Sequence, residues 1–142
     1  MFHHTNTETT FKNLSIIKQW LLDEYNHLGH SFYVNIDTIE NAFRNNRLIT
    51  FDQDEVPIGF VIWDESEKFV EIDILAIHYK HRKKEYGSIF YKLLENYFLE
   101  KGYLAIKLYC NPPESESFWR KMGFVPFPEN INGLPELSFI NH

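Results

Sequence analysis

The sequence predicts an α/β fold with a mixed, mostly antiparallel sheet flanked by helices. Three observations lead there. Two strand-like runs, 47–51 and 56–63, are separated only by the turn formers Asp52, Gln53, Asp54 and Glu55, the pattern of a hairpin. The run FVEIDILAI, Phe69–Ile77, reads as a third strand, and it is followed by a helical stripe and another strand, the order of a strand-helix-strand crossover. Helical periodicity precedes the hairpin, so helices are available to cover the sheet. At 142 residues, 44% hydrophobic and 24% charged, the chain has the size and mix of one domain with a real core.

Each element has its own signal. Leu14, Ile17, Leu21, Tyr25 and Leu28 recur at helical spacing and predict a first helix over 13–27, while residues 1–10 are polar and read as a short strand or a disordered end carrying His3 and His4. A second helix is expected over 37–45, with Asp37 and Glu40 as a capping pair and Ile39 and Phe43 as its apolar side. The hairpin and the third strand follow. Next comes a helix over 87–101, striped by Phe90, Leu93, Leu94, Tyr97 and Phe98 and ended by Gly102. A strand over 103–110 leads through Asn111, Pro112 and Pro113 into a short helix, 114–122, stopped by Gly123. The remaining stretch offers two short strands interrupted by prolines, as sheet edges often are.

Composition excludes several classes. No run of about eighteen apolar residues could span a bilayer, and the N-terminus does not read as a secretory signal. The single cysteine, Cys110, makes no internal disulfide, so a reducing, cytoplasmic setting is expected. No Cys/His spacing resembles a metal site. A net charge of -6 argues against nucleic-acid binding by the surface as a whole.

Against that acidic background, HYKHRKKEYGS at 78–88 gathers Lys80, Arg82, Lys83 and Lys84 just before a helix. A helix N-terminus presents unpaired N–H groups and the positive end of its dipole, which suits a phosphate where a residue such as Gly87 gives access. The residues alone leave two readings open, a solvated basic turn and an anion site. In FVEIDILAI, alternation sends Glu71, Asp73, Leu75 and Ile77 to one face and Val70, Ile72, Ile74 and Ala76 to the other. Carboxylates there are costly unless they reach water or line a hollow, so Glu71 and Asp73 are either an exposed strand edge or general-base candidates.

The segment EIDILAIHYKHRKKEYGS resembles the acyl-CoA binding motif of the GNAT superfamily of N-acetyltransferases, Arg/Gln-x-x-Gly-x-Gly/Ala, with Arg82 first, Glu85 at the first glycine and Gly87 at the second. Downstream, FWRKMGF at 118–124 is similar to the family's second signature, and the element order matches from about Leu14 onward. The resemblance implies a GNAT-like fold and acetyl-CoA as co-substrate. It implies that backbone amides around Lys83, Lys84, Glu85, Tyr86, Gly87 and Ser88 hold the pyrophosphate, with Arg82 beside them, and that Leu75, Ala76 and Ile77 pair with the pantetheine arm. Asn111 stands where the family often has a cofactor-contacting asparagine, and Trp119 where it often has a general-acid tyrosine. Glu71 stands where histone acetyltransferase members place their catalytic glutamate, with Asp73 in reserve. The oxyanion falls to a backbone N–H near Ile77.

Other residues have weaker claims. Tyr109, ending its strand, is a candidate to reprotonate the CoA thiolate, although strand tyrosines are mostly core. Cys110 reads as a small buried hydrophobe, and His78 and His81 as loop or phosphate neighbours. Phe32, Tyr33 and Trp63 lie where the family positions its acceptor, and an aromatic wall beside acidic groups suits an amine. The expected function is acetyl transfer from acetyl-CoA to a primary amine, small-molecule or peptide, by direct transfer in a ternary complex. The rival is a GNAT-like CoA-binding or interaction module with weak or no turnover, which Glu85 and Trp119 favour. Neither a nucleic acid nor a membrane is an expected partner, and the oligomeric state, a homodimer included, stays open.

Overall fold

The computed structural model describes residues 2–109, 115–127 and 138–141. Its strands are β1 (His3–Asn6), β2 (Leu48–Gln53), β3 (Val56–Glu65), β4 (Phe69–Ile77), β5 (Ala105–Tyr109), β6 (Val125–Phe127) and β7 (Ser138–Asn141). The helices are α1 (Phe11–Leu28), α2 (Ile36–Arg44), α3 (Tyr86–Glu100) and α4 (Glu116–Lys121), with 3-10 turns at Phe32–Asn35 and Tyr79–His81. The mixed sheet with helices is as expected. Two compact units divide the chain: Met1–Trp63 with Ile74–Phe90, and Asp64–Asp73 with Tyr91–His142.

In the first unit the strands run β1, β2, β3 and then the C-terminal half of β4. β1 is a strand and not a loose end, because His3 to Asn6 pair antiparallel with Gln53 to Thr50 and Asp54 exchanges two hydrogen bonds with Phe2. The hairpin turn is tighter than the sequence indicated. Only Asp54 and Glu55 turn, at φ 49 and 71, the paired left-handed backbone of a type I′ turn. Asp52 stays in β2, buried, accepting from Thr50 Oγ1 at 2.8 Å, and burial pushes its carboxyl above the usual range.

α1 starts earlier than expected because Thr10 and Asn13 cap each other reciprocally, an arrangement in which asparagine does what glutamate usually does. It ends on Gly29 at φ 78. Its buried face is Leu14, Ile17, Trp20, Leu21 and Glu24; Tyr25 and Leu28, assigned to the stripe from sequence, are exposed. The apolar members of that face, Leu14, Ile17, Trp20 and Leu21, pack with Ile39, Ala42, Leu48, Phe60, Ile62, Ile74 and Ala76 in one core cluster of the unit. α2 begins after the 3-10 turn, and the Asp37 and Glu40 capping pair does not form. Asn35 holds the N-cap position without a side-chain bond, and Glu40 pairs instead with Lys18 at 2.9 Å and Arg44 at 3.3 Å.

In the second unit the N-terminal half of β4 runs parallel to β5, Phe69 to Ile72 opposite Ala105 to Leu108, confirming the crossover pattern. β7 lies between β5 and β6, antiparallel to both, so of the two last strands only β6 is an edge. The reason is the ladder itself: β7 supplies partners on both sides, Phe139 facing Leu108 and Pro126. Along α3, Phe90, Leu94 and Phe98 of the predicted stripe are buried and Tyr97 is half-buried, whereas Leu93 is exposed and Tyr91, outside the predicted stripe, is buried.

Candidate active site

β4 carries the alternation read from its sequence: Val70, Ile72, Ile74 and Ala76 are buried, Glu71 and Leu75 half-buried, and Asp73 exposed. Only Ile77 departs from the pattern, buried at the strand's end. Gly59 explains the close approach there. A Cβ at Gly59 would meet Ile77 Cδ1 at 2.7 Å and the Ala76 carbonyl at 3.0 Å, so a larger residue would make the end of the Ile77 side chain shift and crowd this carbonyl. A glycine inside a strand run is the signal that could have flagged it.

Backbone polarity at this end follows from strand geometry. His78 N–H donates to the Ile58 carbonyl at 2.7 Å, and the Ala76 carbonyl faces Gly59, so alternate residues of this stretch address β3. The N–H and C=O groups of Leu75 and Ile77 therefore point the other way. The Ile77 carbonyl does so visibly, accepting from Arg82 Nε at 3.0 Å.

The basic segment is a built loop. His78 Nδ1 accepts from the Lys80 N–H at 3.0 Å and starts the 3-10 turn. Trp20, Tyr79 and His81 surround the imidazole with centroids 5.1 to 5.4 Å away. Burial first, then the neighbouring His81, Lys80 and Arg82, pull its pKa down to about 4, so the ring is neutral at physiological pH. His81 is likewise held below its ordinary value, mainly by burial. His3, expected on a loose end, stacks on Phe51 at 5.6 Å, meets Tyr86 at 4.9 Å and bonds Gln53 at 3.1 Å. Its strand pairing puts it against the first residue of α3.

Beyond the 3-10 turn, Arg82 is extended, Lys83 has φ 65 and Glu85 has φ 62. Two left-handed non-glycine residues, two positions apart, are costly at about 1–2 kcal/mol each. Left-handed residues of this kind occur in loops whose N–H groups gather around an anion. α3 opens immediately after, at Tyr86, and its first hydrogen bond to this loop is Ile89 N–H to the Glu85 carbonyl at 3.1 Å. The N–H groups of Tyr86, Gly87 and Ser88 have no acceptor within the helix. Lys83, Lys84 and Glu85 are exposed. Glu85→Gly is therefore expected to be more stable than Glu85→Ala by about 1 kcal/mol in urea denaturation, because both lose the side chain and only glycine relaxes at this φ. Equal stabilities would mean the left-handed geometry stores no strain.

Arg82 is exposed as well, its side chain by 40%, but two of its nitrogens bond inward. Besides the Ile77 bond, its Nη2 donates to both carboxylate oxygens of Glu24, at 3.1 and 3.0 Å, and Glu24 is 3% exposed. Sequence reading missed Glu24, although it follows Leu21 by three residues and so continues the apolar face of α1.

The remaining candidates are placed as follows. Glu71 stands half-buried on β4 with Lys107 as its register partner on β5. Tyr109 ends β5, whereas Cys110 and Asn111 lie outside the described residues. Trp119 is buried among Tyr91, Phe118 and Phe124, with centroids 4.9 to 5.6 Å away. Phe32 and Tyr33 pack half-buried against the first unit's core, and Trp63 is buried inside β3, which continues to Glu65. Among the described residues no group of three or more His, Cys, Asp or Glu side chains could hold a metal, and no helix is long and apolar enough to cross a membrane.

The family model described as acetyltransferase (GNAT) family matches residues 14–124. The chain belongs to the GNAT acetyltransferase family. No curated protein matches it in sequence. Among solved structures, it is similar to the PaiA N-acetyltransferase from Thermoplasma acidophilum in complex with coenzyme A, at 16% identity and TM-score 0.72, over 99% of each chain. It is also similar to Ard1 from Thermoplasma volcanium, at 15% identity and TM-score 0.74, covering 99% of this chain and 97% of that one. N-acetylglutamate synthase from Neisseria gonorrhoeae, complexed with coenzyme A and N-acetyl-glutamate, gives 13% identity and TM-score 0.72. This chain spans 35% of that protein's length and is itself covered over 99%. At such identities the likeness is one of GNAT fold.

Proposed function

We propose that this protein transfers an acetyl group from acetyl-CoA to a primary amine, directly, within a ternary complex. The observation that carries the reading is the loop between β4 and α3, where left-handed Lys83 and Glu85 lead into open helix N–H groups beside exposed lysines. That chemistry fits a pyrophosphate, and backbone amides of Lys83, Lys84, Glu85, Tyr86, Gly87 and Ser88 would hold it. Family membership and the coenzyme A bound in two of the similar structures support the same ligand. Leu75 and Ile77, whose backbone faces away from β3, would pair with the pantetheine arm, Ala76 holding the strand between them.

In the proposed reaction a neutral amine nitrogen attacks the thioester carbonyl, the C–N bond forms, the C–S bond breaks, and CoA leaves as thiolate. Glu71 takes the amine proton, through a water, with Asp73 in reserve. The Ile77 N–H steadies the oxygen that gains charge at the acetyl carbonyl. Tyr109 is proposed to return a proton to the thiolate, and Asn111 to contact the cofactor. The acceptor is a small-molecule or peptide amine, and no nucleic acid or membrane takes part. A cytoplasmic setting belongs to the same proposal and rests on the lone cysteine.

Trp119 favours a second reading, a CoA-binding module without turnover, because the position of the family's acidic tyrosine is filled by a buried indole. One experiment separates the two: melt the protein with and without millimolar CoA, then incubate it with acetyl-CoA and an amine library while following free thiol. CoA at a hundred times its dissociation constant is expected to add about 2.7 kcal/mol, and the gain should shrink in high salt. A melting shift without thiol release from any amine supports the module. No shift at all sinks both readings.

A further inference from the structure

We infer that Glu24 is a positioning residue for the cofactor loop and that the Arg82 guanidinium is a strut and not a phosphate ligand. This rests on reading the loop as the CoA pyrophosphate site. One guanidinium joins three elements: Nη2 reaches both oxygens of Glu24 on α1, Nε reaches the carbonyl of Ile77 at the end of β4, and the Arg82 backbone begins the loop. The next residue is Lys83 at φ 65, with Glu85 at φ 62 two positions later. A strained backbone persists where its surroundings hold it, and this bridge is attached at the point where the strain begins.

Charge decides what Arg82 can do. Glu24 is 3% exposed, and its carboxylate is buried with Arg82 as partner. Nε and Nη2 are committed to Ile77 and Glu24, and turning them toward a phosphate would leave the buried carboxylate without its partner, a costly change. The exposed side chains of Lys83 and Lys84 carry no such obligation to a buried partner, so they supply the long-range attraction. The same bridge fixes the Ile77 carbonyl, and so the peptide plane at the end of the strand proposed to face the pantetheine arm.

The test compares CoA with pantetheine, which lacks every phosphate, by calorimetric titration of Glu24→Gln, of Arg82→Met and of the double variant Glu24→Met with Arg82→Met. The double variant removes both charges together and guards against loss of fold, since paired removal is far milder than breaking a buried pair. In all three, CoA affinity is expected to fall about tenfold or more, as for a loop competent only a tenth of the time. Pantetheine affinity should fall by a clearly smaller factor than CoA affinity, because the phosphate-free arm meets the bridge only through the Ile77 peptide and does not use the loop amides. The salt dependence of CoA binding should be that of wild type in the double variant, because no phosphate-contacting cation is lost. The inference is overturned if the double variant binds CoA as wild type does. It is also overturned if Arg82→Met weakens CoA and flattens the salt dependence while Glu24→Gln does neither, the behaviour of a direct phosphate ligand. Wild-type protein that binds no CoA would overturn the reading of the site itself and this inference with it, an outcome distinct from wild-type binding with unaffected variants.

Discussion

Glu71→Gln is expected to leave the CoA melting shift intact and to lower amine acetylation by about 10² to 10⁴, the range that a positioned base contributes. Glutamine keeps the shape of the side chain and cannot accept the proton. Glu71 stands half-buried on β4, neither sealed in a core nor at a strand end, so it can meet water. Free primary amines have pKa values near 10, and at neutral pH nearly all are ammonium. The variant's remaining rate should therefore climb with pH as free amine replaces ammonium, and part of the deficit should return in alkaline buffer. Asp73→Asn should cost less. The measurement is initial thiol release against pH for the three proteins with one acceptor. A Glu71→Gln enzyme with a near-normal rate and pH profile removes Glu71 from the chemistry and turns attention to Asp73 or a bound water. His78, neutral and with Nδ1 already accepting from Lys80, is a weaker successor than its position in the loop implied.

Much of this arrangement was legible because it rests on local periodicity. β4 was readable up to Ala76, with Ile77 the exception, since alternation along an extended chain fixes which side chains share a face. The basic loop announced itself by charge. What escaped was set by contacts between residues far apart in the chain. Glu24 sits on the apolar face of α1, but a glutamate breaks the visible stripe, and only Arg82, 58 residues away, makes its burial tolerable. β1 looked polar and loose because its order comes from pairing with β2, and the His3 contacts with Phe51 and Tyr86 are invisible in four residues of sequence. Asp52 was taken for a turn residue because aspartate favours turns. The left-handed pair Asp54 and Glu55 does the turning alone, leaving Asp52 in the ladder. Glu85 is the instructive middle case. Its place in the motif indicated that the backbone would call for glycine, and φ 62 is that backbone on a residue that is not glycine.

Trp119→Ala is expected to destabilise the protein by about 3–5 kcal/mol, a large share of the stability of a domain this size. The indole is buried, edge-on to Tyr91, Phe118 and Phe124, with its own unit's core around it. Truncation removes its ring contacts together and leaves a cavity that the flanking rings cannot fill without leaving their own positions. Trp119→Phe keeps an aromatic edge and should cost much less, about 1–2 kcal/mol. Denaturant unfolding of both variants checks the stability arm. Calorimetric titration of the phenylalanine variant checks function. If Trp119 serves chiefly as packing, CoA affinity in Trp119→Phe should stay within about twofold of wild type, a change below the 1.4 kcal/mol that a tenfold effect needs. A phenylalanine variant that is stable yet binds CoA tenfold more weakly would reverse the assignment, giving the indole a direct part in holding the cofactor.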